Sequence, residues 1–568
     1  MSRSVPNDST VLVNTPAETP FLPFEGKVIR RVIIKEFGFD KIFEDTSHRI
    51  KYFGTRLLNS LHKKTRNWVI KENMFIHEGN TLNAYKVADN ERYLRTLNFI
   101  QDARILVNYI PGNNDSVDIV VITKDLFSLT AELSDLSADR FKGRIGDANV
   151  LGMGQSVRFT TLVDQKRTPH FGYELLYTKS NIGNSFINAS LAYTTINNNI
   201  GDGREDEQGW IARLDRPLYS QYAHIAGALT IGRTQSTNAY NLPDSEYYNY
   251  KYNLYDGWIG YNLDVKKLLA NKERRKRAFI SARYFRNYFT QAPYQVAKDY
   301  NLKFDNKQAA LGQITFFKQD FYKTNYLYGF GTTEDIPYGY NVSLTSGWYE
   351  QKTLGRLYIG VDANRYFVSK RGSILQYFLR AGSFFHENGF QDANILAGAT
   401  YFSRLILYNN LKIRQYVRFS AARQFNRTTF DPLRIDNTFG VRYMSTDSIV
   451  GDRRISLHSE TYFFLKYKIF GFQFAPFTFG DVCMLTPEQK PINKSDFYYS
   501  LGGGLRTRNN NFVFGTIELR FAYFPRRGDT NNGFKVMLQS DLNFRYNNNY
   551  IKAPSIIQVN DDDNNSIY

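Results

Sequence analysis

Apolar and polar side chains alternate along two segments between residues 454 and 483, and this period of two predicts β-strands. The first segment has an apolar and a polar face, formed respectively by Ile455, Leu457, Thr461 and Phe463 and by Arg454, Ser456, His458 and Glu460. The second segment has a face with Phe472 and Phe474 and an opposite face with Gln473, Phe479, Asp481 and Cys483. A closed barrel in a membrane satisfies both kinds of face, because lipid contacts the apolar side chains and a wet lumen contacts the polar ones.

The same alternation recurs along most of the chain and predicts an all-β transmembrane barrel over residues 129–546. Clear examples are residues 155–163, 412–422, 512–525 and 534–545. Several charged side chains share one face of these segments, which a buried sheet of a soluble protein does not accommodate. Roughly sixteen or more antiparallel strands reach the length of about 9–11 residues that a tilted spanning strand needs. Residues 547–568 are polar, and we expect a tail outside the membrane.

The periodicity before residue 129 is different and predicts a small α+β domain over residues 25–128. A strand begins near Gly26, helical periodicity follows in residues 65–75 and 82–100, and two strand-like segments end the domain. The order strand–helix–helix–strand–strand is typical of an α+β unit. Residues 1–24 are rich in Ser, Pro, Thr and Asn, and we expect a flexible leader there.

The composition supports the barrel and excludes a helical membrane protein. Aromatic residues make up 16% of the 568 residues, mainly as 45 Phe and 41 Tyr, and aromatic girdles at the membrane interfaces explain this excess. The mean hydropathy is −0.45, and the sequence has no run of about 18 apolar residues that would predict a spanning helix.

The formal net charge of +18 does not indicate nucleic-acid binding. Lys and Arg recur within the alternating segments, whereas nucleic-acid-binding proteins concentrate them on one helix or stripe. We therefore expect no nucleic-acid partner. A cationic lumen lining and contact with anionic lipid headgroups explain the charge.

The sequence has no pattern that predicts an enzyme, a metal site or a cofactor. It lacks the HExxH, CxxC, GxSxG, Walker and dinucleotide-binding motifs. The single cysteine, Cys483, excludes an intramolecular disulfide and is interpreted as a small packing residue. The first residues lack the pattern of a signal peptide, so we expect that the export signal has either been removed or is encoded upstream.

The amino-terminal domain resembles a POTRA domain, the periplasmic module of the BamA/TamA outer-membrane assembly superfamily. The resemblance is carried by Gly79, the run 91–95 (ERYLR), Phe99, Ile100 and the run 123–125 (TKD). The barrel half resembles the same superfamily at residues 149–154 (NVLGMG), which are similar to an N-x-L-G-x-G turn near the first barrel strands.

Two further motifs lie on either side of the long segment before Arg454. Gly440, Val441, Arg442 and Tyr443 resemble the V-R-G-F/Y motif of the superfamily's sixth extracellular loop, and residues 479–483, with Phe479 and Asp481, resemble its F-x-D-x-G strand motif. The chain departs from both motifs, because Tyr443 and Cys483 stand where the family has glycine.

The resemblance implies that the loop folds into the lumen and that Arg442 pairs there with Asp481. A guanidinium presents a planar fork that suits a carboxylate, and a partly dry lumen strengthens the pair. The alternative is that Arg442 is a solvated loop residue and Asp481 merely lines a polar lumen. Glu460, on the same polar face as His458, is a further candidate partner.

The function implied by the resemblance is insertion or assembly of proteins into the bacterial outer membrane, or translocation across it, with the amino-terminal domain in the periplasm. The implied partners are unfolded outer-membrane client proteins, accessory lipoproteins and outer-membrane lipid. Two alternatives stay open, a passive channel or dedicated secretion pore without insertase activity, and a structural membrane protein that has lost activity.

Overall fold

A computed structural model describes residues 13–37, 63–136, 139–201, 203–263, 265, 275–295, 301–387, 389–444, 449–469, 472–508, 516–526, 533–539 and 551–560. The first elements are β1 (Thr15–Pro16), β2 (Val28–Phe37), α1 (Asn67–Glu72), α2 (Ala84–Thr96), β3 (Ile100–Ile110) and β4 (Asn113–Asp125). None of the helices in these described ranges is both long enough and apolar enough to cross a membrane.

The amino-terminal unit is a three-stranded sheet with two helices. Strand β4 lies between β2, which runs parallel to it, and β3, which runs antiparallel. Helix α2 begins after Asn83, whose side chain accepts hydrogen bonds from the backbone N–H groups of Tyr85 and Lys86, both 3.1 Å long. The elements follow the order strand–helix–helix–strand–strand, and both helices are shorter than their periodicity predicts.

The remaining elements are almost all strands. They are β5 (Leu129–Leu136), β6 (Arg140–Asp147), β7 (Gln155–Asp164), β8 (Phe171–Lys179), β9 (Asn188–Asn198), β10 (Glu205–Arg216), β11 (Ile225–Ser236), β12 (Lys251–Asn262), β13 (Arg277–Gln291), β14 (Lys307–Thr324), β15 (Glu334–Gln351), β16 (Leu354–Val368), β17 (Ile374–His386), β18 (Gly389–Phe402), β19 (Ile406–Tyr408), β20 (Leu411–Phe425), β21 (Leu433–Arg434), β22 (Val450–Gly451), β23 (Arg453–Leu465), β24 (Lys468–Ile469), β25 (Phe472–Thr486), β26 (Asp496–Arg508), β27 (Thr516–Tyr523) and β28 (Phe534–Gln539). Short 3₁₀ helices lie at Thr19–Phe24, Val150–Gly152, Ile182–Asn184, Leu302–Phe304 and Ile492–Lys494.

Most of these strands belong to one large antiparallel sheet. In the described ranges it has 23 strands, of which β1, β19 and β24 are only two or three residues long. Strand β9 pairs with β10, and the strand order places the last strand, β28, beside β5. The twenty longer strands of the described ranges exceed the roughly sixteen expected from the resemblance.

The two faces of the sheet have inverted polarity. Along β23, Ile455 and Leu457 are 36% and 46% exposed, whereas Arg454 and Glu460 are each 1% exposed. The largest fully buried side chains include four arginines, Arg356, Arg414, Arg454 and Arg520. The predicted alternation of an apolar and a polar face is therefore confirmed, and the buried inner face is the polar one.

The amino-terminal unit packs against one end of the sheet. Its apolar core, which includes Ile70 and Leu94, is continuous with Phe186, in the connection before β9, and with Phe321 of β14. Helix α2 is thereby covered on both sides, and nearly all its residues after Lys86 are buried.

The segment before the unit is ordered, contrary to the expected flexible leader. Strand β1 pairs with β14, placing Thr15 opposite Lys323, and the Ala17 N–H donates to the Phe321 carbonyl at 2.9 Å. Phe21 is 2% exposed, because it belongs to the same core as the amino-terminal unit. Residues 1–12 lie outside the described residues.

The expected tail outside the membrane is also wrong for residues 551–560. These residues contact the inner face of the sheet, and Ile551, Ile557 and Val559 are each at most 7% exposed. The tail of residues 547–568 has a polar composition as a whole, but the apolar side chains within residues 551–560 contact apolar residues of the inner face.

Candidate functional site

The loop between β20 and β23 folds over the inner face of the sheet. The short strands β21 and β22 pair at its base, with Leu433 opposite Gly451. Apolar side chains of this loop are almost fully buried and pack with inward side chains of the sheet; they are Leu433, Ile435, Phe439, Val441 and Met444. The loop is therefore a packed element rather than a solvated connection.

The loop's motif has a tight backbone that explains its glycine. The Val441 N–H donates to the Ile435 carbonyl at 2.8 Å, and a β-carbon on Gly440 would lie 1.9 Å from that same oxygen. Only glycine permits this approach. Tyr443, which stands where the resembled motif has glycine, has a φ of 63°, in the left-handed region that glycine favours. Tyr443 thus has a backbone conformation that is uncommon for a residue other than glycine.

Arg442 contacts Glu460 rather than its predicted partner. Its Nη1 lies 3.9 Å from Glu460 Oε2, and its guanidinium lies 5.8 Å from the Tyr416 ring centre. No ion pair within 4 Å joins Arg442 to Asp481 in the described chain, so the predicted direct pair is not formed. The further candidate, Glu460, takes its place.

The strand register explains why the Asp481 carboxylate has partners other than Arg442. His458 on β23 and Ser500 on β26 lie directly opposite Asp481 on β25. His458 Nδ1 lies 2.5 Å from Asp481 Oδ1, and the Ser500 hydroxyl donates to Oδ2 at 2.7 Å. His458 also lies between the two carboxylates, because its Nε2 is 3.3 Å from Glu460 Oε2.

Glu460 lies at the centre of a larger buried ion-pair cluster. Its Oε1 accepts hydrogen bonds from Arg506 Nη2 at 3.3 Å and Arg520 Nη2 at 3.1 Å. Both arginines also contact Glu518, which lies opposite Arg506 in the register of β26 and β27. The members, here called the inner cluster, are Arg442, His458, Glu460, Asp481, Ser500, Arg506, Glu518 and Arg520.

The inner cluster is shielded from bulk water except at Arg442, whose side chain is 21% exposed. Three arginines face three carboxylates, and the side chains of Glu460, Asp481, Glu518 and Arg520 are at most 2% exposed. Removing one partner of a buried pair is costly, because it leaves an uncompensated charge. The cluster can hold the loop against β23, β25, β26 and β27.

Several members of the inner cluster were not predicted as site residues. The alternation places His458, Glu518 and Arg520 on polar faces, but only the strand register brings them together. Phe479, in the predicted strand motif, is 5% exposed, and its ring lies 4.5 Å from the Arg520 guanidinium. Cys483 is fully buried in the adjacent apolar cluster, in agreement with its interpretation as a packing residue.

The other motifs join the amino-terminal unit to the sheet. Asn149, in the turn between β6 and β7, donates from Nδ2 to Thr65 Oγ1 at 2.8 Å, and Thr65 Oγ1 donates to Asp125 Oδ1 at 2.8 Å. A β-carbon on Gly152 would lie 2.1 Å from the Lys64 carbonyl oxygen, so glycine permits this close approach. The motifs at 149–154 and 123–125 therefore meet in one hydrogen-bonded contact.

The sequence matches no family model and no curated protein. Solved structures similar to this chain include BamA from Haemophilus ducreyi lacking POTRA domains 1–3, with 11% identity over 90% of this chain and 84% of that chain and a TM-score of 0.33. CdiB from Acinetobacter baumannii is similar with 11% identity over 91% and 74% and a TM-score of 0.36. CdiB from Escherichia coli is similar with 11% identity over 91% and 76% and a TM-score of 0.41.

Proposed function

We propose that this chain is a β-barrel protein of the bacterial outer membrane that assists the insertion or assembly of other proteins into that membrane. The observation that carries the proposal is the inverted polarity of the large sheet. Exposed side chains on alternate positions are Leu, Ile, Phe and Tyr, while arginines and carboxylates are buried on the other face. A lipid bilayer is the solvent in which this arrangement is favourable.

Closure of the barrel is supported by the strand order. With β28 beside β5 and every other long strand paired on both sides, the wall would leave no unpaired backbone edge facing hydrocarbon. The amino-terminal unit, which resembles a POTRA domain, would then lie on the periplasmic side, where β4 enters the barrel wall through β5.

A free passive channel is the less favoured alternative, because three segments occupy the interior. They are the loop with Arg442, residues 551–560, and the turn between β14 and β15, in which Tyr326, Leu327 and Phe330 are at most 3% exposed. A filled interior fits a protein that acts on its clients at the barrel wall, or one whose interior opens only transiently.

Client recognition would use the edges of the amino-terminal sheet. Strands β2 and β3 are its edge strands, and exposed apolar side chains on them include Ile33 at 40% and Leu106 at 48%. An unfolded outer-membrane client can add a strand to such an edge through backbone hydrogen bonds. Accessory lipoproteins are proposed as partners on the basis of the resemblance alone.

A liposome assay separates insertion from conduction. An unfolded barrel client is added to liposomes with and without the reconstituted protein, and both client folding and ion leakage are recorded. We expect faster client folding with little leakage. Ion leakage without faster folding would overturn the insertase proposal in favour of a pore, and an Arg442→Ala variant serves to test the contribution of the inner cluster.

A further inference from the structure

We propose that residues 551–560 form a displaceable plug that closes the barrel interior to ions and small solutes. The proposal rests on the membrane barrel of the proposed function, but not on its insertase activity. It adds a gating role for the carboxyl-terminal segment.

Apolar side chains anchor the segment at several points on the inner face. Ile551 packs in a cluster with Ala226, Phe279 and Phe317, which belong to β11, β13 and β14. Ile556 packs against a second cluster on β14 to β17, and Ile557 and Val559 join the cluster that also holds the loop. The segment therefore reaches from one part of the wall to another.

Polar side chains of the wall bind the backbone of the segment. Arg283 Nη1 donates to the Pro554 carbonyl at 2.9 Å, and the Ile557 N–H donates to the Tyr358 hydroxyl at 2.8 Å. Arg454 Nη2 donates to the Val559 carbonyl at 2.6 Å. These three side chains come from β13, β16 and β23, so the bonds span a large part of the barrel circumference.

The segment and the loop are joined. Asn560 Nδ2 donates to the Pro432 carbonyl at 2.9 Å, and Asn560 Oδ1 accepts from the Arg434 N–H at 3.0 Å and from Arg454 Nη1 at 3.1 Å. The two elements therefore fill the interior together.

The space around the segment is narrow on one side and wide on the other. A cavity of about 30 Å³ lies between the segment and β14 to β17, lined by residues that include Asn341, Arg380 and Lys552. A cavity of about 670 Å³ is lined by Lys307, Arg427 and other residues. Ile557 and Gln558 line both cavities, so removing the segment would connect them.

The segment can leave without breaking the wall. Residues 551–560 form neither helix nor strand, so no ladder of the sheet depends on them. Its bonds use side chains of the wall, whereas the barrel is held by backbone bonds between strands. Displacement would expose wall arginines to water, which hydrates them well.

Conductance of single proteins in a planar bilayer tests the plug. A chain that lacks residues 547–568 is compared with the full chain and with a matched variant that lacks only residues 561–568. We expect low conductance for the full chain and the matched variant and a several-fold higher conductance for the longer deletion. Adding a peptide of the sequence IKAPSIIQVN should lower the conductance again, and a scrambled peptide should not.

A second variant keeps the full length of the chain, so that an effect of the plug can be told apart from misfolding of the deletion variant. Ile557→Asp combined with Val559→Asp places charges in the apolar cluster and should also raise the conductance. Equal conductance of full and altered chains, all inserted and heat-modifiable, would overturn the plug while leaving the barrel intact. Failure of the full chain itself to insert would contradict the membrane barrel as well.

Discussion

Arg95 of helix α2 and Asp335 at the start of β15 form a two-point ion pair between the amino-terminal unit and the large sheet. Arg95 Nε lies 2.8 Å from Asp335 Oδ2, and Arg95 Nη2 lies 2.6 Å from Oδ1. The two side chains are only 5% and 6% exposed. A pair that is buried and bidentate orients the unit on the sheet more strictly than a surface pair could.

Arg95→Ala should loosen the amino-terminal unit from the barrel. The substitution removes the bidentate guanidinium partner of the buried Asp335, at a cost on the order of 3–5 kcal/mol. Hydrogen exchange of α2 and β15 measures the loss of protection. Arg104→Ala is a matched control in the same unit. The Arg104 side chain is 39% exposed, so its removal should lower the stability by at most about 1 kcal/mol. Equal effects of both variants would contradict the docking role of Arg95.

The same contact should weaken in acid through Glu91. Burial alone would raise the pKa of Glu91, but Lys323 and Arg95 beside it lower the pKa from its ordinary value of 4.5 to about 2. A group with a lowered folded-state pKa stabilises the folded state above its unfolded pKa, and this contribution is lost as the pH falls. Docking should therefore weaken between about pH 4.5 and 2.

Hydrogen exchange of α2 as a function of pH measures this loss, and Glu91→Gln is the control. The variant keeps the shape of the side chain but cannot titrate, so its docking should be weaker at neutral pH and nearly flat across that window. A wild-type profile that is flat in the same window would contradict the role of Glu91.

Arg442→Ala should release the loop without unfolding the barrel. Glu460 would be left with two of its arginine partners, and we expect a cost of about 1–3 kcal/mol. Protease sensitivity of the loop measures the release. In double-mutant cycles, Arg442→Ala should couple more strongly to Glu460→Gln than to Asp481→Asn, because Arg442 contacts Glu460 directly. Stronger coupling to Asp481 would mean that the pair predicted from the sequence forms.

The purified protein should be heat-modifiable. A closed barrel keeps its backbone hydrogen bonds internal and resists detergent until it is heated. The unheated sample should migrate faster on a gel than the boiled one. Equal migration before and after boiling would contradict barrel closure.

The faces of the strands could be predicted from the sequence, because alternation is a local property. Ile455 and Leu457 are exposed and Arg454 and Glu460 are buried as the pattern indicates. The partners within the buried face could not be predicted, since they depend on the register between strands. Asp481 meets His458 and Ser500 because they lie opposite it on two different strands.

The interpretation of segments with polar composition as solvated is wrong for part of this chain, because such segments can pack on the buried inner face of the sheet. Residues 551–560 belong to a tail that is polar as a whole, but Ile551, Ile556, Ile557 and Val559 contact apolar clusters on the otherwise polar inner face. The segment with Thr15 and Phe21 is a second example. Its sequence has no periodicity, but the pairing of Thr15 in a short strand and the burial of the Phe21 ring suffice to fix it.

The most direct test of the account is the solvent that contacts the exposed apolar face. Single nitroxide labels are placed at Ile259→Cys and Leu457→Cys in a Cys483→Ala background, with Tyr294→Cys as a control. Ile259, Leu457 and Tyr294 are 64%, 46% and 91% exposed, and Tyr294 follows the end of β13 in a connection. In liposomes, labels at 259 and 457 should respond to oxygen dissolved in lipid, and the label at 294 to a water-soluble nickel chelate. A strong response of positions 259 and 457 to the nickel chelate would contradict the membrane barrel.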